Sequence, residues 1–182
     1  MCTLLSAGLH RVPIVDENGR VINIVSQSLL NEYLHAHAAE LGSFTSKTIA
    51  ELNIGTSPVL TVNEQDTALN VFRTLERSGR SGIAVVGPSG RLTGVTSGSD
   101  LKLFLANQES LNQPIIEFLK HIRQADLKTR ALTFVCLPEH SIAHVMGMLK
   151  ATQAHRLFVV DANHHAQKVV SILDILRCAM QN

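Results

Sequence analysis

Three stretches of this chain lie over one another without a gap. HRVPIVDENGRVINIVSQSLLNEYL (10–34), SGIAVVGPSGRLTGVTSGSDLKLFL (81–105) and HRLFVVDANHHAQKVVSILDILRCA (155–179) each run 25 residues, at successive offsets of 71 and 74. Every copy reads as an apolar run, a turn, a second apolar run, an aligned serine (Ser26, Ser97, Ser171) and an apolar helical stretch. A chain with such a period builds its fold from one unit used repeatedly. The agreement extends upstream, where SPVLTVNEQDTALNVFRTLERSGR (57–80) lies over ALTFVCLPEHSIAHVMGMLKATQA (131–154), again at offset 74. Thr67 and Ser141 stand there as helix N-caps. Behind them Ala68, Val71, Phe72 and Leu75, and Ile142, Val145, Met146 and Leu149, recur at helical spacing. The unit therefore reads strand, helix, strand, strand, helix.

This register divides the chain. Residues 1–40 form a partial copy, because offset 71 sets residues 1–9 over 72–80, inside the first helix of the unit. Residues 41–55 are a linker, 56–106 a full copy, 107–130 a connector helix and 131–182 a second full copy. In the connector, Ile115, Phe118, Leu119 and Ile122 mark an apolar stripe, with Asn112 as cap and Pro114 in the first turn. A unit near 50 residues is at the lower limit of independent stability, since even ~60 residues bury only about 60% of their unfolded surface. The copies are expected to pair into an α+β sandwich of quasi-identical halves with a cleft between them. The partial copy is expected to leave Val12, Ile14, Ile22 and Ile24 on an uncovered hairpin, which points to a homodimer in isolation.

Charge and composition exclude other classes. A formal net charge of +1, with no Lys/Arg cluster, gives no footprint for nucleic acid or an acidic membrane surface. With 45% apolar and 17% charged residues the chain is globular. No apolar run approaches the ~20 residues that span a bilayer. The three cysteines, Cys2, Cys136 and Cys178, form neither a C-x-x-C nor a disulfide framework, so a reducing, cytoplasmic setting is expected. The nine histidines lack companions at ligand spacing, and no metal or catalytic motif is present, so no enzyme is expected.

The closing signatures RLTGVTSGSDLKLFL and VVSILDILRCA, in this unit order, resemble the cystathionine-β-synthase (CBS) domain family, whose repeats work in pairs called Bateman modules. HRVPIVD, HRLFVVD and the linker SKTIAELNIGT are similar, within that family, to the γ subunits of AMP-activated protein kinases. The resemblance starts inside the second repeat of such a subunit and runs through its third and fourth. It implies a regulatory module that binds AMP, ADP or ATP and assembles with the catalytic and scaffold subunits of a kinase. A CBS scaffold that senses no nucleotide is the alternative.

Two acids carry the site. Asp100 behind Ser97 and Asp174 behind Ser171 form S-x-x-D at helix starts. On residues alone this is a capping-box arrangement, or a carboxylate placed to accept hydrogen bonds from a ribose diol. The resemblance implies the ribose role; Leu29 occupies the matching position in the first copy and cannot hold a diol. His10-Arg11 and His155-Arg156 open equivalent runs, where the middle copy has Ser81-Gly82. Guanidinium groups make bidentate contacts to phosphate. The resemblance implies that a nucleotide on Asp100 meets Arg11 and Arg156, with adenine near Thr56, Pro58 and Ile83. A nucleotide on Asp174 would meet Ser81 and His155, with adenine near Ala131, Thr133 and Leu157. Gln27 and Ser28 stand where the family has a phosphate-contacting lysine, and Arg123, Lys128 and Arg130 are the cations that could replace it.

Overall fold

The computed structural model describes residues 2–101, 108–125 and 131–181. Helix α1 (Cys2–Ser6) leads into the hairpin β1 (Arg11–Val15) and β2 (Val21–Ser26), which runs into α2 (Gln27–Ala36). A 3-10 segment, Ala38–Phe44, and the short helix α3 (Ile49–Leu52) follow. The next copy supplies β3 (Thr61–Asn63), α4 (Ala68–Ser78), β4 (Ile83–Val86) and β5 (Leu92–Thr96). The connector carries α5 (Ile115–Ala125). The last copy contains β6 (Val135–Cys136), α6 (Ile142–Thr152), β7 (Arg156–Val160), β8 (Ala166–Ser171) and α7 (Ile172–Ala179). The predicted unit order is complete in the last copy, and in the middle copy it holds as far as the described residues reach.

The strands form three sheets, β1-β2, β3-β4-β5 and β6-β7-β8. In the middle sheet β3 runs parallel to β4 and β5 antiparallel to it. The hairpin turns share a left-handed residue at one repeat position: Gly19 (φ 76°), Gly90 (φ 76°) and His164 (φ 68°). His164 takes a conformation that glycine adopts without steric cost. Its turn is stitched by Asp161 Oδ1, which accepts from the Asn163 and His165 amides at 2.9 and 2.8 Å.

Caps fall where the spacing predicts. Thr67 accepts from the Asn70 amide and Ser141 from the His144 amide. The connector differs in detail: Asn112 closes a 3-10 turn (Gln108–Asn112), and α5 begins one residue after Pro114. Its first amides donate to backbone carbonyls, Ile115 to Asp66 at 2.8 Å and Ile116 to Glu64 at 3.4 Å. Main-chain oxygens thus satisfy orphan donors for which a side-chain cap had been expected.

The chain divides into two compact units whose limits cut across the repeats: residues 1–56, 136–159 and 169–182, and residues 57–135 and 160–168. In the first, α2 packs on α6 and α7 and α1 packs on α7. Leu5, Ile142, Val145, Met146 and Ile175 are fully buried there. The second unit is centred on Phe72 and Phe118, whose rings meet edge to face at 5.5 Å, with Val71, Leu75, Ile115 and Leu119 around them. The α5 stripe read from the sequence is the face that enters this core.

The hairpin corrects one expectation. Ile22 and Ile24 are exposed, at 64% and 54%, but Val12 and Ile14 are half-covered. Strand side chains alternate between faces, and the register pairs Pro13 with Ile24 and Val12 with Val25. The open apolar face therefore carries Pro13, Val15 and Ile24, and an irregularity between Ile14 and Val15 brings Val21 opposite Val15.

Candidate functional site

Both His-Arg pairs fall in the first unit, with Arg11 opening β1 and Arg156 opening β7. Each is pinned beside the helix that closes its copy. The Gln27 amide donates to the His10 carbonyl and the Ile172 amide to the His155 carbonyl, both at 3.1 Å. Ser28 Oγ lies 3.3 Å from His155 Nδ1. The His155 imidazole is held below its ordinary pKa of 6.5, first by partial desolvation of the ring and then by the charges of Arg156, His10 and Arg11. Two pairs far apart in sequence thus form one basic locus around the His155 ring, contributed by two copies.

One turn into α7, in the same unit, stands Asp174. Its capping box is complete: Asp174 Oδ2 accepts from the Ser171 amide at 2.8 Å and from Ser171 Oγ at 2.7 Å, and the Asp174 amide donates to Ser171 Oγ at 3.2 Å. The capping reading of S-x-x-D is realised here, and among the described residues every hydrogen bond that the carboxylate accepts falls on Oδ2. The half-buried carboxylate keeps Oδ1 for a further donor. In the partial copy Ser26 caps α2 through the Leu29 amide, and Leu29 is exposed.

Asp100, in the second unit, is bound differently. It is 6% exposed, and its Oδ2 accepts from Thr96 Oγ1 at 2.8 Å and from the Ser97 amide at 3.0 Å. Arg123 of α5 closes on it with both terminal nitrogens, Nη1 to Oδ1 at 3.1 Å and Nη2 to Oδ2 at 3.4 Å. Ser97 Oγ turns instead to Ser99 Oγ, 2.6 Å away. Arg123, which the sequence offers as a phosphate cation, is thus the buried counter-ion of Asp100. Lys128 and Arg130 lie outside the described residues. The sequence did carry a signal for the pair: Arg123 follows Leu119 by four residues and so falls on the apolar stripe of α5, where a guanidinium needs a buried acid.

The other predicted positions divide by burial. Ile83 and Leu157 are fully buried strand residues, so only their main chains could meet a base. Thr56 is exposed, and its amide and carbonyl pair with Val169 at 2.8 and 3.0 Å. Pro58, Ser81 and Ala131 are exposed, while Gly82 and Thr133 are intermediate. Cys136 is buried, which pushes its thiol up to about 12 and keeps it protonated. No helix among the described residues is long and apolar enough to cross a membrane.

A family model of the CBS domain matches residues 2–36 and 49–107. The human 5'-AMP-activated protein kinase subunit gamma-3 is 32% identical over 182 residues, covering 96% of this chain and 36% of the relative. Protein sds23 of Neosartorya fischeri is 30% identical over 165 residues, covering 85% and 31%. The chain thus spans about a third of the length of these relatives. Among solved structures, a Methanocaldococcus jannaschii protein described as a candidate archaeal homologue of the kinase γ subunit superposes with a TM-score of 0.73. It is 19% identical, and the match covers 96% of this chain and 61% of that one. A Pyrobaculum aerophilum CBS domain protein complexed with AMP superposes with a TM-score of 0.57 at 17% identity, covering 70% of this chain and 89% of that one.

Proposed function

This chain belongs to the CBS-domain family, and from that premise we propose that it is a regulatory module for adenine nucleotides, AMP, ADP or ATP, working as the γ-like part of an AMP-activated-type kinase with catalytic and scaffold subunits as partners. The observation that carries the reading is the placement of His155, whose ring feels the charges of Arg156, His10 and Arg11, beside the helix that presents Asp174; this groups Arg11 and Arg156 with Asp174, in the same unit, where the resemblance had set them with Asp100. A ribose diol donates to a carboxylate held at a helix start, and a phosphate takes the cations. Similarity to the kinase γ-3 subunit and the AMP complex of a fold relative support the same ligand class. Regulation follows from differential binding: nucleotides with different affinities for two arrangements of the repeats shift their populations, and a partner reads the shift. Such a sensor belongs in the cytoplasm, with the nucleotide pools.

Calorimetric titration with AMP, ADP, ATP and S-adenosylmethionine tests this. Saturable binding of AMP is expected. Asp174→Ala should weaken AMP and adenosine alike, because both carry the diol, by about 1 to 3 kcal/mol for a hydrogen-bonded charged group. Arg156→Ala should weaken AMP far more than adenosine. Unchanged AMP affinity in both single variants and in their combination would sink the assignment. A second reading, a CBS scaffold that senses no nucleotide, is favoured by the engagement of Asp100 with Arg123. It predicts no saturable heat with any of the four ligands.

A further inference from the structure

We propose that Arg123 sets ligand specificity at Asp100 by occupying the ribose carboxylate itself, so that this position yields to nucleotides and refuses nucleosides. The inference rests on the reading of Asp100 as a ribose acceptor. Its ground is the buried pair: both terminal nitrogens of Arg123, Nη1 and Nη2, lie on the two Asp100 oxygens, and each side chain is only 9% exposed. A diol needs the same oxygens. With Thr96 Oγ1 and the Ser97 amide already on Oδ2, the carboxylate lacks capacity for a guanidinium fork and a diol together. Ligand and guanidinium therefore compete.

The outcome of that competition depends on what the displaced guanidinium finds. Arginine stays protonated in proteins, and a buried cation without an acceptor is strongly disfavoured. Arg123 is 7% exposed, and among the described residues its Nε has no hydrogen-bond partner even in the closed pair. A nucleoside would take Asp100 and leave this cation stranded. A nucleotide brings its own anion, a phosphate whose oxygens accept the guanidinium fork in place of the carboxylate just lost. Room for the exchange lies beside the pair, in a cavity of about 400 Å³ lined by Lys120, Arg123, Gln124 and Leu132. Lys120 adds a second cation at its wall, shared with Glu117 at 2.8 Å. Because Arg123 stands on α5, exchange of its partner also transmits occupancy of Asp100 to the connector.

The test uses the full chain carrying Asp174→Ala, so that binding reports on Asp100, with AMP and adenosine titrated separately and the folded fraction checked by thermal melting. Arg123→Gln should raise adenosine affinity about tenfold, the gain when a competent state populated at roughly one in ten becomes the resting state. AMP should gain less, because it loses the cation that would meet its phosphate, so the ratio of AMP to adenosine affinity falls. Arg123→Lys, which keeps the charge without the fork, should move the ratio part of the way and carries the test where Arg123→Gln does not fold. If Asp100→Ala removes binding but neither Arg123 variant changes the ratio, the competition is refuted while the ribose reading stands. If Asp100→Ala changes nothing, or no Arg123 variant binds either ligand, the ribose reading fails and the specificity role falls with it.

Discussion

His155 makes the basic locus pH-dependent. Its depressed pKa means that the ring is largely neutral at pH 7 in the free protein, because partial desolvation and the charges of Arg156, His10 and Arg11 oppose protonation. A bound phosphate dianion reverses the sign of the local field and favours the imidazolium, so binding takes up a proton. Affinity for AMP should therefore rise as pH falls from about 8 toward about 6.5, above the point where the phosphate itself gains a proton near pH 6. Titration at several pH values checks this, and His155→Ala should flatten the profile. Stability moves the other way: the unfolded chain protonates His155 near 6.5 while the folded chain resists, so the contribution present above 6.5 is lost as pH falls through the folded value. At the other end of the same hairpin, His164 holds φ 68° where the sibling turns use Gly19 and Gly90. A left-handed side chain costs roughly 1 to 2 kcal/mol, partly offset by the entropy a glycine loses on folding. His164→Gly should accordingly stabilise the protein by up to about 1 kcal/mol, read as a higher midpoint in urea.

Helix α5 shows what an element adds to its repeat. Phe118 is 1% exposed and meets Phe72 edge to face, so Phe118→Ala should cost about 3 to 5 kcal/mol, measurable by denaturant unfolding. That stripe was readable at helical spacing, as were the caps at Thr67, Ser141 and Ser171, because each depends on residues within one or two turns. The start of α5 was less so, since its leading amides are satisfied by the carbonyls of Asp66 and Glu64, some fifty residues upstream, and no local pattern encodes such partners. The acids divide on the same principle. Asp174 sits in the reciprocal box that Ser171 announces, whereas Asp100, in the same motif, is claimed by Arg123 across 23 residues. A motif gives the local hydrogen bonds of a side chain; its tertiary partner decides whether it is available to a ligand. The locus on His155 lies between these cases, because the repeat alignment made its four residues equivalent in pairs and packing of the first and last copies in one unit brought them to one ring.

For the molecule as a whole, the hairpin of the partial copy raises the question of association. Val15, Val21, Ile22 and Ile24 are 53 to 64% exposed, and Leu4 and Leu9 beside them are 48% and 51% exposed. β1 is the repeat counterpart of β4, which has strands on both sides, yet β1 pairs only with β2 among the described residues. Two routes could cover it, by its edge or by its face. The edge is blunted at its centre: the Ala84 amide donates to the Leu60 carbonyl at 2.9 Å, and the equivalent residue in the first copy is Pro13, which has no N–H to give. The face has no such defect, and burying even ~400 Å² of apolar surface there contributes ~10 kcal/mol before the entropy of association is subtracted. The surface that suits it is its own image across a two-fold axis, since one patch then serves both sides. The isolated chain is therefore expected to be a homodimer at tens of micromolar, joined through the hairpin face, in light scattering behind a sizing column. Ile24→Asp, on that face, should return it to the monomer with the fold intact, while Arg20→Asp, in the polar turn, should leave the dimer. A wild-type monomer under these conditions, with the same mass as Ile24→Asp, would show that this face stays in water.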